Sequence, residues 1–197
     1  MSKLLFSLAV AVSASTIAQA ADLPATLATP APVAAVPLYD PTKYQIRGGF
    51  LASPFGPERG SADGTVALVF PKFVILPGWE DLLVPRLRIG GVANFDGKTS
   101  YAYIDGLWTV NFNRAFAEVF FGGLVHNGPL ENPVNVTANA LGCRELYHLG
   151  AGVGYRFDQH WSVTATFEHG SNGEPLLSNC PVNRGLNVTG LALGYAF

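Results

Sequence analysis

The sequence predicts an all-β fold, an eight-stranded antiparallel transmembrane β-barrel, and three observations carry that prediction. The chain opens with an export-type leader. It is apolar throughout, with 49% hydrophobic and 13% charged residues, where soluble domains average about 25% charged. From Tyr44 onward, alternating strand-like runs are separated by turn residues.

The leader is read from residues 1–20. Lys3 supplies a positive n-region, Leu4 to Val12 an apolar core, and Ala18-Gln19-Ala20 a small-residue cleavage site. That order is expected of a secretory signal peptide of the Sec type, removed after Ala20. Its apolar run is too short for the roughly 20 residues that span a bilayer. No stretch beyond residue 20 reaches 18 consecutive apolar residues, so the mature chain offers no transmembrane helix. Apolar side chains must then be distributed along strands, and a membrane accepts strands when they close on themselves. The net charge of −2 gives no footprint for nucleic acid.

Residues 21–43 read as a periplasmic tail without a core of its own. Pro24, Pro30, Pro32, Pro37 and Pro41 are interleaved there with Ala, Thr and Val, a density that favours extended, unpaired chain. The barrel is expected from 44 to 197. Its strands are predicted at 44–52, 65–75, 86–95, 101–112, 115–126, 144–157, 161–170 and 187–197. Asp96-Gly97, Asn113-Arg114 and Asp158-Gln159 supply the turn chemistry between neighbours. The second run is the least regular, because Pro71 removes a ladder donor.

Loop lengths orient the barrel. The connections 113–114 and 158–160 are short, whereas 127–143 and 171–186 are long and rich in Asn, Pro and Gly. Outer-membrane barrels have short periplasmic turns and long extracellular loops. Both termini are then periplasmic, and 76–85 is a long exception on the short-turn side. The export route is oxidising, which permits a disulfide between Cys143 and Cys180 at the extracellular end; two free thiols are the alternative.

Alternation assigns the faces. Trp161, Val163, Ala165 and Phe167 share one face of the seventh run, opposite Ser162, Thr164, Thr166 and Glu168. Bulky apolar faces with small or polar opposites suit lipid outside and a narrow lumen inside. A soluble β-sandwich would turn the same apolar faces inward. Tyr44, Tyr155, Trp161, Tyr195 and Phe197 fall at the periplasmic ends of their runs, as an interfacial girdle requires. A last strand ending in Phe197 is similar to the assembly signal of outer-membrane proteins. Arg88, Asp105, His148, Arg156 and Glu168 face the lumen and are expected to form a plug of mutual ion pairs. His126 and Asn127 end the fifth run with no assigned role.

One segment breaks the apolar outer row. His169 and Ser171 are two positions apart, so on a strand they share the lipid-facing side with Phe167. Asn187 continues the outward row of the last strand at the same end. Polar groups facing lipid are costly unless they find partners or headgroups. A serine hydroxyl becomes a nucleophile when imidazole takes its proton, and the imidazole needs a third group to fix its tautomer. The plainer reading is that Gly170-Ser171-Asn172-Gly173 is a turn.

His169-Gly170-Ser171-Asn172, then Asn183-Arg184-Gly185-Leu186-Asn187, then Leu191-Ala192-Leu193-Gly194-Tyr195-Ala196-Phe197 resemble the end of the lipid A 3-O-deacylase (PagL) family, also called acyloxyacyl hydrolases. The resemblance extends over roughly 86–197, with Gly90-Gly91-Val92-Ala93-Asn94 and Leu149-Gly150-Ala151-Gly152-Val153-Gly154-Tyr155-Arg156-Phe157. It implies an eight-stranded outer-membrane barrel with an outward Ser-His-acid site that removes the 3-O-linked acyl chain of lipid A. Ser171 would be the nucleophile and His169 the base. Asn172, with the backbone N–H groups near Asn172 and Gly173, would serve the oxyanion hole. The family's glutamate aligns with Asn187, and Glu174 and Glu145 are the alternative acids. The loop 173–186, carrying Cys180, is longer than the family's. Lipopolysaccharide is the implied partner and substrate, with no metal and no cofactor; oligomeric state is left open. The alternative function is a non-catalytic structural barrel of the same fold. A pore does not suit eight strands, whose lumen is filled by side chains.

Overall fold

The protein, a computed structural model, is described over residues 37–132 and 137–197, so the expected signal peptide and most of the tail lie outside the described residues. Eight strands follow in chain order: β1 Gln45–Ala52, β2 Ala62–Val69, β3 Arg86–Asn94, β4 Tyr101–Phe112, β5 Ala115–His126, β6 Glu145–Arg156, β7 Trp161–Ser171 and β8 Leu186–Ala196. Each pairs antiparallel with its sequence neighbour, and β1 also pairs with β8, closing the barrel. Gln45 stands opposite both Val69 and Ala196, so the strand termini of the chain and the end of β2 share one rim.

Seven strands lie within one residue of the expected bounds, and the second is displaced. The sequence predicts 65–75; β2 is Ala62–Val69. Ala62, Asp63 and Gly64 join the ladder opposite Ala52, Leu51 and Phe50. At the other end the Phe70 N–H still reaches Leu87 O at 2.8 Å. Pro71 then has no N–H to continue, and the chain leaves the sheet. Residues 70–85 form a long connection with a 3-10 turn at Trp79–Leu83.

The short turns obey their residues. Asn113 takes φ 60° between β4 and β5, a left-handed conformation that Asn tolerates. Asp158 Oδ1 accepts the N–H groups of His160 and Trp161, both at 2.7 Å. Those two bonds hold its carboxyl below the usual carboxylate range.

The faces are those of a membrane barrel. Phe50, Val153 and Leu191 on the outer wall are 74%, 64% and 59% exposed, while Arg47, Arg88, Asp105, Glu118, His148 and Glu168 are buried inside. A sandwich would have the reverse. Arg47 grips Glu118 through two bonds of 2.7 and 3.0 Å. Arg88 donates to Asp105 Oδ2 at 2.6 Å and stacks over Phe120 at 3.8 Å. His148 Nδ1 is 3.0 Å from Asp105 Oδ1. Its Nε2 is 3.3 Å from Glu168 Oε2, at ion-pair distance but off the hydrogen-bond line. Glu168 also accepts the Tyr101 hydroxyl at 2.9 Å. Arg156 departs from the expected plug. It forms no ion pair among the described residues; its guanidinium stacks over Phe116 at 4.2 Å and Tyr39 at 4.8 Å, near the terminal rim. Arg47 and Glu118, not singled out from the sequence, complete the charged interior instead.

Above the charged layer lies an apolar cluster, beside the buried Asp63, which accepts Asn94 Nδ2 at 2.8 Å. Leu51, Val92, Leu124, Leu146 and Val188 meet Leu141, which the loop after β5 lowers into the mouth. His126 and Arg144 anchor this loop: His126 Nε2 is 2.7 Å from Cys143 O, and Arg144 Nη1 donates to His126 O and Gly128 O. Glu58, itself buried, ties three connections together. It accepts the Thr99 hydroxyl at 2.6 Å, the Thr99 N–H at 3.3 Å and the Asn139 N–H at 2.9 Å. At the opposite rim, Tyr44 contacts Phe70 and Phe197, and Trp161 contacts Tyr195, with centroids 4.9 to 6.0 Å apart.

Glu58→Ala would strand the Thr99 and Asn139 donors, at about 1–3 kcal/mol for each buried group left unpaired. The expected outcome is faster protease cleavage within 127–144, with barrel migration on unheated gels unchanged. Equal cleavage rates in the variant and the parent would show that Glu58 does not hold the mouth closed.

Candidate active site on the outer wall

β7 and β8 place the three polar residues of the outer row. His169 stands directly opposite Asn187, and Ser171 opposite Tyr147 of β6. All three outward polar groups are half-buried. His169 Nδ1 and Asn187 Oδ1 are 2.7 Å apart. An amide oxygen accepts and does not donate, so the bond selects the Nδ1–H tautomer and leaves Nε2 with its lone pair.

Ser171 is held differently from the expectation that it bonds the His169 ring. Its Oγ accepts Asn183 Nδ2 at 2.9 Å and the Gly173 N–H at 3.3 Å. Among the described residues, no hydrogen bond joins Ser171 to His169. The two side chains lie on one face of one strand, about 6–7 Å apart along it at the Cα atoms.

Asn172 turns the other way. It is buried, and its Nδ2 donates to Leu141 O and Val182 O, both at 2.8 Å. Its Oδ1 accepts the Glu174 N–H at 2.9 Å. With both ends of the amide engaged, its side chain fastens the loop after β7 to the plug in the mouth. Gly173 takes φ 75° directly after it.

A disulfide joins Cys143 to Cys180, with Cα atoms 5.7 Å apart. It fastens the same two loops. Beside it, Gly142 has φ 77°, and an added Cβ would lie 2.1 Å from Val182 O and 2.8 Å from Asn172 Nδ2. Gly185, at φ 64°, brings the returning chain against the imidazole; a Cβ there would lie 3.0 Å from His169 Cε1. Arg184 reaches Asn132 Oδ1 at 3.0 Å.

Of the three residues considered as partner to the imidazole, Asn187 is the one in hydrogen-bond contact. Glu174 lies exposed in the loop and Glu145 exposed at the start of β6. Asn183 is the residue that sequence reasoning passed over, although it stands within the Asn183–Asn187 segment. Leu177 was missed as well. Its N–H bonds Gly173 O at 2.8 Å, and its side chain with Tyr147 flanks Gly173. Leu176 beside it is 90% exposed. The polar groups therefore sit against an apolar surface at one end of the outer wall.

The comparisons with known proteins bear on the fold and on the lineage of the chain. The profile described as lipid A 3-O-deacylase (PagL) matches residues 90–196, more than half of the chain. The crystal structure of the outer membrane enzyme PagL superimposes with a TM-score of 0.53 at 15% identity, covering 76% of this chain and 97% of that one. The N-terminal β-barrel domain of Pseudomonas aeruginosa OprF gives a TM-score of 0.53 at 12% identity, covering 79% and 98%. A de novo designed transmembrane β-barrel gives 0.51 at 11%, covering 81% and 98%. No curated protein matches the sequence. At such identities the structures establish the fold, and the profile establishes the lineage: the chain belongs to the lipid A 3-O-deacylase (PagL) family of bacterial outer-membrane β-barrels.

Proposed function

We propose that the protein hydrolyses the ester-linked 3-hydroxyacyl chain at position 3 of lipid A, with Ser171 as nucleophile and His169 as general base on the lipid-facing wall. Export through the leader at residues 1–20 would deliver it to the outer membrane. The observation that carries the reading is the 2.7 Å contact between His169 Nδ1 and Asn187 Oδ1, on the outer row that also bears Ser171. Soluble surfaces carry such pairs freely, but on a wall facing lipid they are costly unless the site uses them.

The chemistry runs as a two-step acyl transfer. His169 Nε2 takes the Ser171 proton as Oγ bonds to the ester carbonyl carbon, and the sugar oxygen leaves with that proton. Water then releases the fatty acid from the serine. Apo contacts between nucleophile and base are often long and tighten with substrate, so rotation of Ser171 toward Nε2 is part of this reading. Asn183 Nδ2 and the Gly173 N–H converge on Ser171 Oγ in the resting site. Donors so placed are suited to the oxyanion once an ester displaces them from the hydroxyl. Asn172 supports them by fixing the loop. Leu176, Leu177 and Tyr147 offer the apolar bed for an acyl chain.

A non-catalytic barrel is the competing reading, favoured by two observations: Asn187 has no charge, and Ser171 is bonded away from the imidazole. Mass spectrometry of lipid A after incubation with the folded protein separates the two. Loss of one 3-hydroxyacyl chain is the expected result, absent with Ser171→Ala. His169→Ala should lower the rate by about 10²–10⁴-fold, the usual contribution of a general base. Unaltered lipid A across several acyl-chain lengths would favour the structural barrel.

Asn187 is tested by restoring a charge. Asn187→Glu is expected to keep or raise the rate, because a carboxylate at the Nδ1 side stabilises imidazolium as an amide does not. Asn187→Leu should lower it by loss of orientation. If Asn187→Leu has no effect while Glu174→Gln or Glu145→Gln abolishes turnover, the assignment moves to that glutamate.

Gly142→Ala tests the loop junction. It strains a left-handed backbone and drives a methyl into Val182 O. The expected outcome is a folded barrel with impaired turnover. Full turnover would show that the junction does not position Ser171.

A further inference from the structure

The connection between β2 and β3, residues 70–85, is long for the rim that carries the strand termini, where β4–β5 and β6–β7 turn within a few residues. It is built around a polar centre. Lys72 Nζ bonds Asp81 Oδ2 and Asp81 O, both at 2.6 Å, and Asp81 Oδ1 accepts the Leu76 N–H at 3.2 Å. Its base is stapled by Arg86, whose Nε donates to Phe70 O at 2.7 Å and Nη2 to Lys43 O at 2.6 Å. Lys72 and Asp81 thereby satisfy each other within the connection, while Glu80 stays exposed. Outward the connection presents Phe73, Ile75, Trp79 and Leu83, with Phe73, Trp79 and Leu83 exposed by 74%, 69% and 64%.

The position of this apolar face identifies what covers it. Trp108 lies on the outer row of β4, with Ile104 and Val110. Its Nε1 donates to Leu83 O at 2.9 Å. Pro85 packs against the outer side of β4 at Gly106, where an added Cβ would meet its ring at 3.3 Å. The last part of the connection therefore lies beside the outer wall at β4, while its start is bonded to Pro41 O through the Lys72 N–H. Its exposed side chains continue the surface that the wall turns to lipid. They do so at the rim of aromatic contacts around Tyr44, Trp161 and Tyr195. Trp at that level is the residue of the membrane interface, and exposed apolar side chains beside it gain by burial at the boundary of headgroups and acyl chains.

We infer that residues 70–85 are a second membrane-binding element, an interfacial anchor embedded in the periplasmic phospholipid leaflet alongside β3 and β4. Lys72 and Asp81 neutralise each other inside it, and the exposed Glu80 carries its remaining charge. The inference rests on the barrel and its orientation, and is independent of whether Ser171 is catalytic.

Spin labelling tests it on the full chain. Phe73→Cys, Trp79→Cys and Leu83→Cys are each labelled with a nitroxide; Cys143 and Cys180 are already joined and take no label. Val119→Cys on the outer wall and Gln159→Cys in a short turn are the references. The proteins are folded into phosphatidylethanolamine and phosphatidylglycerol vesicles, and folding of each is verified by its migration on unheated gels. Power saturation compares relaxation by oxygen with relaxation by a water-soluble nickel chelate. The three loop labels are expected to be oxygen-dominated like Val119→Cys, with Gln159→Cys nickel-dominated. Three positions keep the test decisive if one variant does not fold. Nickel-dominated labels throughout the loop would overturn the inference. So would dipolar broadening that disappears on dilution with unlabelled chain, since a second copy would then cover the face.

Discussion

In hydrocarbon every backbone N–H and C=O must find its partner within the protein, because no water is present to take its place. Pairing of β1 with β8 satisfies that constraint, and much of the remaining structure follows from it. A closed sheet has one face for lipid and one for the lumen, and side chains alternate between them. Eight strands leave a lumen just wide enough for side chains to fill. The polar side chains turned inward must therefore satisfy one another. Arg88 does so by holding Asp105 while lying over Phe120. Asp105 in turn meets His148, and Glu168 receives Tyr101. Removing a single member would leave a buried charge without its counterpart, which costs more than the intact pair contributes.

The outer row of β7 and β8 follows the same alternation but departs from the apolar rule at its last positions. His169, Ser171 and Asn187 are outward polar groups, and each has a protein partner. His169 and Asn187 support each other across the sheet, whereas Ser171 is held from the loop. Asn172 ties the loop after β7 to Leu141, and the Cys143–Cys180 bridge ties the same loops covalently. Leu141 is itself buried in the barrel mouth. The wall residues are thus referenced to the lumen through a loop that plugs it. Precision of this kind is what a site assembled from loops lacks unless a rigid element carries it.

The alternation with period two was legible because lipid enforces it on every strand, and seven strands could be bounded to a residue. β2 was not, since Pro71 was weighed as an interruption within a strand when it is the point where the ladder stops. Ala62-Asp63-Gly64, with little β-propensity, is recruited by its neighbours on both sides. The pairing of His169 with Asn187 was legible from register, as both fall on outward rows at one end. Asn183 was not, because it lies in a loop and its approach to Ser171 depends on the left-handed Gly185 and on the fold of 172–185. Alternation tells that Arg156 faces inward, but not that it ends over aromatic rings at the rim. Glu58 gave no signal, since its partners Thr99 and Asn139 come from two distant loops.

The neutral residue opposite His169 has a physical logic of its own. A carboxylate on a lipid-facing wall carries a desolvation cost that an amide avoids, and it needs several donors to offset that cost. Asn187 presents one oxygen to one N–H, and the pair is satisfied without net charge. The resting arrangement is therefore inexpensive where headgroups meet hydrocarbon. In the proposed reaction the cost would move to the step in which imidazole gains a proton, with no adjacent anion to balance it. Glu145 and Glu174 are exposed, and no hydrogen bond or ion pair joins either to the ring among the described residues. Charge balance in that proposed step would then come over longer range, through water and headgroups that screen it. Under that proposal the identity of one side chain divides the cost between standing in the membrane and passing the barrier.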